Sequence, residues 1–309
     1  MRQLLKSDLR RVLRSKAFLF YFLTLILGPL LYLLTTRLVP DQTAYYRSLR
    51  DYIPGDLWSS SLLFFLLFLL FFFCLFFSAE RKRGALAAKA AAGYSRAGIF
   101  LSYSLTLGAA AVFGAAVFYL LVTFVSAQPD IMIPTREPTL RKNLPEALCV
   151  LAAAILFSVL FTVIGCLTSR GVTAAMLSLL LLGGMLAGRN AVSTAQQKNL
   201  SISAAQDIYE ERNNSSDPNS FFIEQKEKTD RRLRAIRFAG DLNPLFQMRE
   251  VDILTSKDVS VLITKSYDAN TPYSTEPTPR MLRLPLITLT EAAAAAGAGV
   301  LIFRKKEFA

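Results

Sequence analysis

Residues 61–78 read SLLFFLLFLLFFFCLFFS, a run with no charge and almost no polar atom. At about 1.5 Å of rise per residue such a run crosses a hydrocarbon core about 30 Å thick with little tilt. Glu80-Arg81-Lys82-Arg83-Gly84 follows, then the small-residue run 85–93, then Tyr94-Ser95-Arg96-Ala97-Gly98, and a second apolar run over 99–125 begins at once. Charges are expensive in hydrocarbon, so the link between the runs faces water. The pattern predicts two membrane helices joined by a short basic link whose middle, rich in alanine, is itself a good helix former.

The composition fits this reading. Of 309 residues 53% are apolar, and the mean hydropathy is +0.38, high for a soluble domain. The net charge of +12 is gathered beside the apolar blocks, as the positive-inside rule expects, and no basic stripe interleaves with aromatics as nucleic-acid binding would need. With no histidine, His-based acid–base catalysis and His metal sites are excluded. Cys74, Cys149 and Cys166 each lie in an apolar run and form no CxxC pair, so they read as small buried apolar residues.

Working outward, residues 1–16 (MRQLLKSDLRRVLRSK) place Leu5, Leu9, Val12 and Leu13 on one helical face and Arg2, Lys6, Arg10, Arg11 and Arg14 over much of the rest. This predicts an amphipathic helix in the membrane interface, its basic groups near anionic headgroups. A disordered basic tail is the plain alternative; a secretory signal is not expected, because the next apolar run is too long and has no convincing cleavage site. That run, 17–39, is the first predicted span, with Gly28-Pro29 expected to loosen or kink it. Residues 40–60 form a loop whose Tyr45, Tyr46, Tyr52 and Trp58 suit an interfacial belt.

The second and third spans are 61–78 and 99–125. A proline-containing loop over 127–145 leads to a fourth span at 146–167, and Thr168-Ser169-Arg170-Gly171 is a tight turn. The fifth run, 172–188, is short and weakened by Gly183-Gly184, so a broken or re-entrant segment is its alternative. Residues 189–283 are the one large polar region, with fourteen Lys/Arg against thirteen Asp/Glu. Within it, 220–239 predicts a helix capped by Asn219 or Ser220 and stopped by Gly240, 258–265 a strand, and 271–279 a proline-rich loop. It contains no glycine-rich phosphate cradle or nucleophile elbow. Overlapping glycosylation sequons at Asn213-Asn214-Ser215-Ser216 matter only in a eukaryotic secretory setting. Residues 284–303 are the sixth span, closed by Arg304-Lys305-Lys306.

The expected architecture is therefore an all-α integral membrane protein of six transmembrane helices, with an amphipathic interface helix first and a mixed extracellular region before the last helix. Its parts are 1–188, 189–283 and 284–309. Six spans put both termini on one side, together with the 80–96 link, Arg170 and Arg304-Lys305-Lys306. The opposite loops mix Arg37, Arg47 and Arg50 with Asp41, Asp51 and Asp56, and Arg136, Arg141 and Lys142 with Asp130 and Glu137. The bias places the termini in the cytoplasm and the long polar region outside.

The 80–96 link is the first candidate site. A short helix there, bounded by Gly84 and Gly93 and followed by Arg96 at the start of the next span, would lie across the cytoplasmic mouth, exposed to a partner; the plain alternative is a basic loop that obeys the orientation rule. The order Phe77-Ser78-Ala79-Glu80-Arg81-Lys82-Arg83-Gly84, small helix, Gly93-Tyr94-Ser95-Arg96 and then Ile99-Phe100-Leu101-Ser102 resembles the permease subunits of the ABC-2 type transporter family. The first helix and the closing Gly299-Val300-Leu301-Ile302-Phe303-Arg304-Lys305-Lys306 are similar to that family's ends, whereas Ala85 stands where a threonine is common and the outer region before the last span is long.

The resemblance implies that the short helix is a coupling helix docking on a separate ABC ATPase subunit, with Glu80, Arg81, Gly84, Lys89, Gly93 and Arg96 at the contact. It further implies a second permease chain, identical or not, packed through faces such as Gly28, Ala293, Gly297 and Gly299, and a bacterial plasma membrane as the setting. No G-x-x-x-x-G-K-[ST] motif occurs in the chain, so no cofactor is expected in it, and ATP and Mg would belong to the partner. The substrate implied is amphipathic or lipophilic, a peptide or drug-like molecule.

Glu291, the one acid well inside an apolar run, is the second candidate. It would line a substrate path or pair with Arg283, or else sit near the outer surface within reach of water. The aromatic run Phe64-Phe65, Phe68, Phe71-Phe72-Phe73, Phe76-Phe77 reads mostly as lipid-facing bulk, alternatively as an apolar groove. Two rivals remain beside the permease reading: a non-transporting membrane protein whose 189–283 region binds an extracellular ligand or partner, and a membrane-embedded enzyme, weak for want of histidine.

Overall fold

The computed structural model of the chain describes residues 1–38, 56–126, 140–168, 170–213, 220–247 and 279–305. Among these the chain is helical throughout, without strands. In order the helices are α1 (Arg2–Leu13), α2 (Lys16–Leu38), α3 (Asp56–Lys82), α4 (Ala85–Ala91), α5 (Arg96–Ser126), α6 (Leu140–Leu167), α7 (Gly171–Asn213), α8 (Ser220–Asp241) and α9 (Pro279–Lys305). Five contain stretches long and apolar enough to cross a membrane: Leu62–Lys82, Arg96–Leu121, Leu144–Leu167, Gly171–Gln196 and Leu282–Lys305. The pair α1–α2, bent by 57° at its junction, makes a sixth if it counts as one span. By length and composition the described chain is an all-helical protein with five or six elements able to cross a membrane, compatible with a multi-pass membrane protein.

The elements are longer than the apolar runs that announce them. α3 begins at Asp56 and ends at Lys82, so Trp58 and the Glu80-Arg81 pair belong to the helix, not to the loops on either side. α6 begins at Leu140 and carries Pro145 inside it, a turn and a half from its start, so the helix continues although that position has no N–H to give to the preceding turn. α2 continues through Gly28-Pro29. The largest departure is α7, one unbroken helix of 43 residues and about 65 Å, running through Gly183-Gly184 and through the expected boundary at 188. Neither a break nor a re-entrant segment occurs there. Two glycines cost a helix only about 1 kcal/mol each, while lipid leaves no other partner for their backbone groups.

α5 and α6 lie at the centre, packed on each other. α9 runs along both, α3 packs on α2, α6 and α7, and α1 lies against α5. The core is largely aromatic. Contrary to the lipid-facing expectation, Phe65, Phe72, Phe73, Phe76 and Phe77 are buried, and only Phe64 and Phe71 are strongly exposed. Phe72 stacks on Tyr21 of α2 at 4.9 Å between centroids, Phe73 meets Phe161 of α6 edge-on at 5.8 Å, and Phe77 lies 5.7 Å from Tyr103 of α5. Cys149 and Cys166 are buried, Cys74 is partly buried, and all three are free thiols. Gly165 lets the Phe77 ring approach α6, Gly114 admits Tyr21 and Gly299 admits Phe100; a Cβ at any of the three would lie under 3.0 Å from a ring atom. Gly299 is thus used inside the chain, whereas nothing lies within 4 Å of a Cβ built at Gly297.

α8 packs along α7, so this part of the polar region is a helical pair. α8 runs to Asp241, past the expected stop at Gly240. Gly240 is needed by packing instead, since a Cβ there would lie 2.3 Å from the Phe246 ring. The chain then turns back: Leu245 and Phe246 are buried, the Asn243 amide donates to the Met185 carbonyl of α7 (2.8 Å), and Thr288 of α9 donates to Gln247 (2.6 Å). The expected strand at 258–265 and all of the expected loop at 271–279 except Pro279, which begins α9, lie outside the described residues.

Candidate functional site

The site grows from the α3–α4–α5 connection. Arg83 and Gly84 alone separate α3 from α4, and Gly84 caps α4 with φ +62°. At the other end Gly93 has φ +83°, its N–H donates to the Ala90 carbonyl (3.0 Å), and the Tyr94 N–H donates to the Lys89 carbonyl (3.2 Å). That pair of bonds is a Schellman closure, which takes glycine because a Cβ is strained at positive φ. Ser95 then caps α5, its hydroxyl accepting from the Gly98 N–H at 3.1 Å. The two glycines bound a two-turn helix whose direction is fixed at both ends. Arg96 opens the next helix.

The residues of the 80–96 segment divide by exposure, and the expected contact residues Glu80, Arg81, Gly84, Lys89, Gly93 and Arg96 do not all fall on its outer side. Lys82, Arg83, Ala87, Ala88, Ala91, Ala92 and Gly93 are exposed. Glu80 and Lys89 are buried, at 2% and 5% exposure, and so are not available to an outside surface. The Lys89 ammonium donates to Asp8 of α1 at 2.6 Å, and the Ser102 hydroxyl of α5 donates to the other oxygen of the same carboxylate at 2.7 Å. Glu80 accepts from the Tyr103 hydroxyl at 2.6 Å and lies 3.6 Å from the half-exposed Arg11 guanidinium. The Lys89 ammonium also sits 3.7 Å from the centroid of the Tyr103 ring, a cation–π contact. Two acids, two bases and two hydroxyls thus tie α1, α3, α4 and α5 together in one network.

Burial pulls the Lys89 pKa below the usual lysine value; the hydrogen bond and charge of Asp8, and then the charge of Glu80, oppose that, while Arg11 adds to it. The formal charges of Asp8, Glu80, Lys89 and Arg11 cancel, which offsets the cost of holding the first three away from water.

Arg81 points the other way, to α6. It donates to the Gly165 carbonyl and to the Thr168 hydroxyl (3.1 Å), at the C-terminal end of that helix, where a cation complements the helix dipole. Its position is structural, locking α3 to α6 beside α4. Glu291 is half-buried on α9 and has no hydrogen-bond or ion-pair partner among the described residues; the expected pairing with Arg283, which is exposed, is not made. Glu146, in the fourth apolar stretch, is fully buried, deeper than its place at the edge of the apolar run suggests.

Asp8, Ser102, Tyr103 and Arg11 were not singled out from the sequence. The signal for Asp8 was present. It is the one acid in residues 1–16, and it stands one helical turn from both Leu4 and Val12, in the middle of a buried strip. Of the apolar face read for the membrane interface, Leu5-Leu9-Val12-Leu13, Leu9 and Leu13 are exposed, and a neighbouring strip, Leu4-Asp8-Val12, is the one packed on protein. Among the described residues no group of three or more His, Cys, Asp or Glu is placed to hold a metal. No protein-family model, no curated protein and no solved structure matches the chain.

Proposed function

We propose that the chain is the membrane-spanning subunit of an ATP-driven ABC-type exporter, working with a separate ATPase subunit through the 80–96 segment. The observation that carries this reading is α4: a two-turn helix at a membrane boundary, clamped at both ends by left-handed glycines and anchored from beneath by Lys89. It offers a face of methyl groups with Lys82 and Arg83 beside it. A rigid, shallow knob of this kind suits receiving a push from a partner and passing it to the spans on both sides. In this reading there are six spans, with α1 at the interface and both termini in the cytoplasm, and the α7–α8 pair lies on the far side. Two such chains form the pathway, and ATP and Mg act in the partner.

The test is to tag the chain, extract it gently from native membranes and identify what co-purifies. A stoichiometric ATPase, lost when 85–92 is scrambled without loss of the folded protein, supports the reading. A clean, stable preparation without ATPase overturns it and moves attention to the 189–283 region as a binding surface, as does an ATPase that stays bound to the scrambled chain. The gene neighbourhood gives an independent check, since an adjacent ATPase gene is expected.

A further inference from the structure

Packing accounts for one face of α1 only. Going round the helix, Leu4, Asp8 and Val12 are buried against α5. Leu5, Leu9 and Leu13 come next, about 100° further round, and Leu9 and Leu13 are exposed. The opposite arc carries Lys6, Arg10 and Arg14, all exposed and none paired with an acid among the described residues. The depth of the helix follows from what comes after it. Ser15 caps α2, accepting from the Phe18 N–H at 3.1 Å, and within that first turn Leu19 and Phe20 face outward, followed by Leu23. Exposed apolar side chains of a spanning helix face hydrocarbon, so hydrocarbon begins within about one turn of the α1–α2 junction and α1 lies at headgroup depth.

We propose that the Lys6-Arg10-Arg14 arc of α1 docks on anionic phospholipid headgroups, and that lipid charge sets how firmly Asp8 holds Lys89 of α4. The two faces belong to one short helix, so their orientations are locked together. Headgroups that pull the basic arc outward hold Leu9 and Leu13 in the acyl boundary and aim Asp8 inward at Lys89 and Ser102. In a neutral leaflet the basic arc is free to turn toward water, and turning it swings Asp8 away from Lys89. Attraction of lysine and arginine to an anionic leaflet acts within a Debye length, and at headgroup depth the arc is inside that range. An acidic protein surface fits less well, because the basic arc borders the exposed leucines and the lipid-facing side of α2. The proposal needs no ATPase and stands whether or not the exporter reading holds.

The test uses the full chain in discs of phosphatidylcholine alone and in discs with added phosphatidylglycerol. The readout is hydrogen exchange of the α4 amides. Phosphatidylglycerol is expected to slow that exchange by roughly tenfold or more at low salt, and added salt to reverse much of the effect. The surface triple variant K6Q/R10Q/R14Q, which touches none of the buried network, is expected to lose the response while keeping its thermal midpoint in neutral lipid. Asp8→Asn should exchange fast in both lipids while still retaining phosphatidylglycerol in native mass spectrometry. Equal exchange of the wild type in the two lipids overturns the proposal. So does a triple variant with the full response, which would place the lipid elsewhere. An Asp8→Asn variant that responds like wild type leaves no role for the Asp8–Lys89 link and overturns it too; if that variant does not fold, the triple variant alone decides.

Discussion

The Asp8–Lys89 contact sets a sharp expectation for single side chains. Both groups are buried and ionised against each other, so removing one leaves the other as an uncompensated buried charge. Asp8→Leu or Lys89→Met is therefore expected to cost about 3 kcal/mol of stability. The double variant Asp8→Leu/Lys89→Met, which removes both charges and keeps apolar volume, should recover most of that loss. Unfolding curves of the four proteins in mixed micelles check this; an uncoupled, additive double variant would mean that the two charges do not rely on each other. Tyr103→Phe removes the hydroxyl that donates to Glu80 while leaving the ring beneath Lys89, and a loss of about 2 kcal/mol is expected because the acceptor is charged and buried. Glu291 is a separate case. It has no partner among the described residues, so Glu291→Gln should leave stability nearly unchanged, and a variant that also keeps full transport would rule out a pathway role. The sequence shows each of these residue types but not their pairing. Asp8 and Lys89 stand far apart in the chain, and only the packing of α1 on α5 brings them together.

For the helices, the connection around α4 was the most legible element. Its glycines, its alanines and the serine cap of α5 are local signals, and each acts where the spacing put it. Gly84 and Gly93 have open space where a Cβ would stand, so the cost of alanine there is backbone strain alone, about 1–2 kcal/mol per position. Gly84→Ala and Gly93→Ala should therefore loosen α4, seen as faster proteolysis within 83–95, without touching the aromatic core. Gly114→Ala tests the reverse case. Its backbone is ordinary helix, but the new methyl would press on the Tyr21 ring, and overpacking of about 1–3 kcal/mol is expected in overall stability with no change at α4. The faces of the spans were far less legible. α3 is apolar all round from Leu62 to Phe77, so no stripe says which side packs, and the buried and lipid-facing phenylalanines look alike in the sequence. Helix ends were misjudged for a related reason. The stretches 56–61, 140–145 and 189–213 are polar or mixed, which marks where hydrocarbon ends but not where the helix ends.

Across the whole molecule, the number of crossings decides which groups share a side, and charge and structure bear on it differently. Five helices contain spanning stretches without qualification, and α1–α2 supplies a sixth only as a bent unit. With five crossings, α1 and its Asp8 would lie on the side opposite both α4 and the basic Arg304-Lys305 end of α9, which the four crossings of α5, α6, α7 and α9 place together in either case. With six they share one side. One contact bears on the choice: Asp8 of α1 lies 2.6 Å from Lys89 of α4, which puts these two helices at one end of the bundle. α9 ends beside α5 near that helix's start, where Phe303 stacks on Phe100 at 4.9 Å between centroids, and Phe100 stands two residues from Ser102, which donates to Asp8. Arg304-Lys305 is thus at the same end of the bundle as α1 and α4, and a basic cluster gathered at one end is what the positive-inside rule selects. The expectation is that single cysteines at Ser7 and Lys305, in a chain whose three native thiols have been replaced, react with a membrane-impermeant thiol reagent only after the cytoplasmic side is opened, while one at residue 47 or 130 reacts in intact cells. Labelling of Ser7→Cys and Lys305→Cys from opposite sides would require five crossings. It would also separate Asp8 of α1 from Lys89 of α4 by the thickness of the membrane, which their contact at 2.6 Å does not permit.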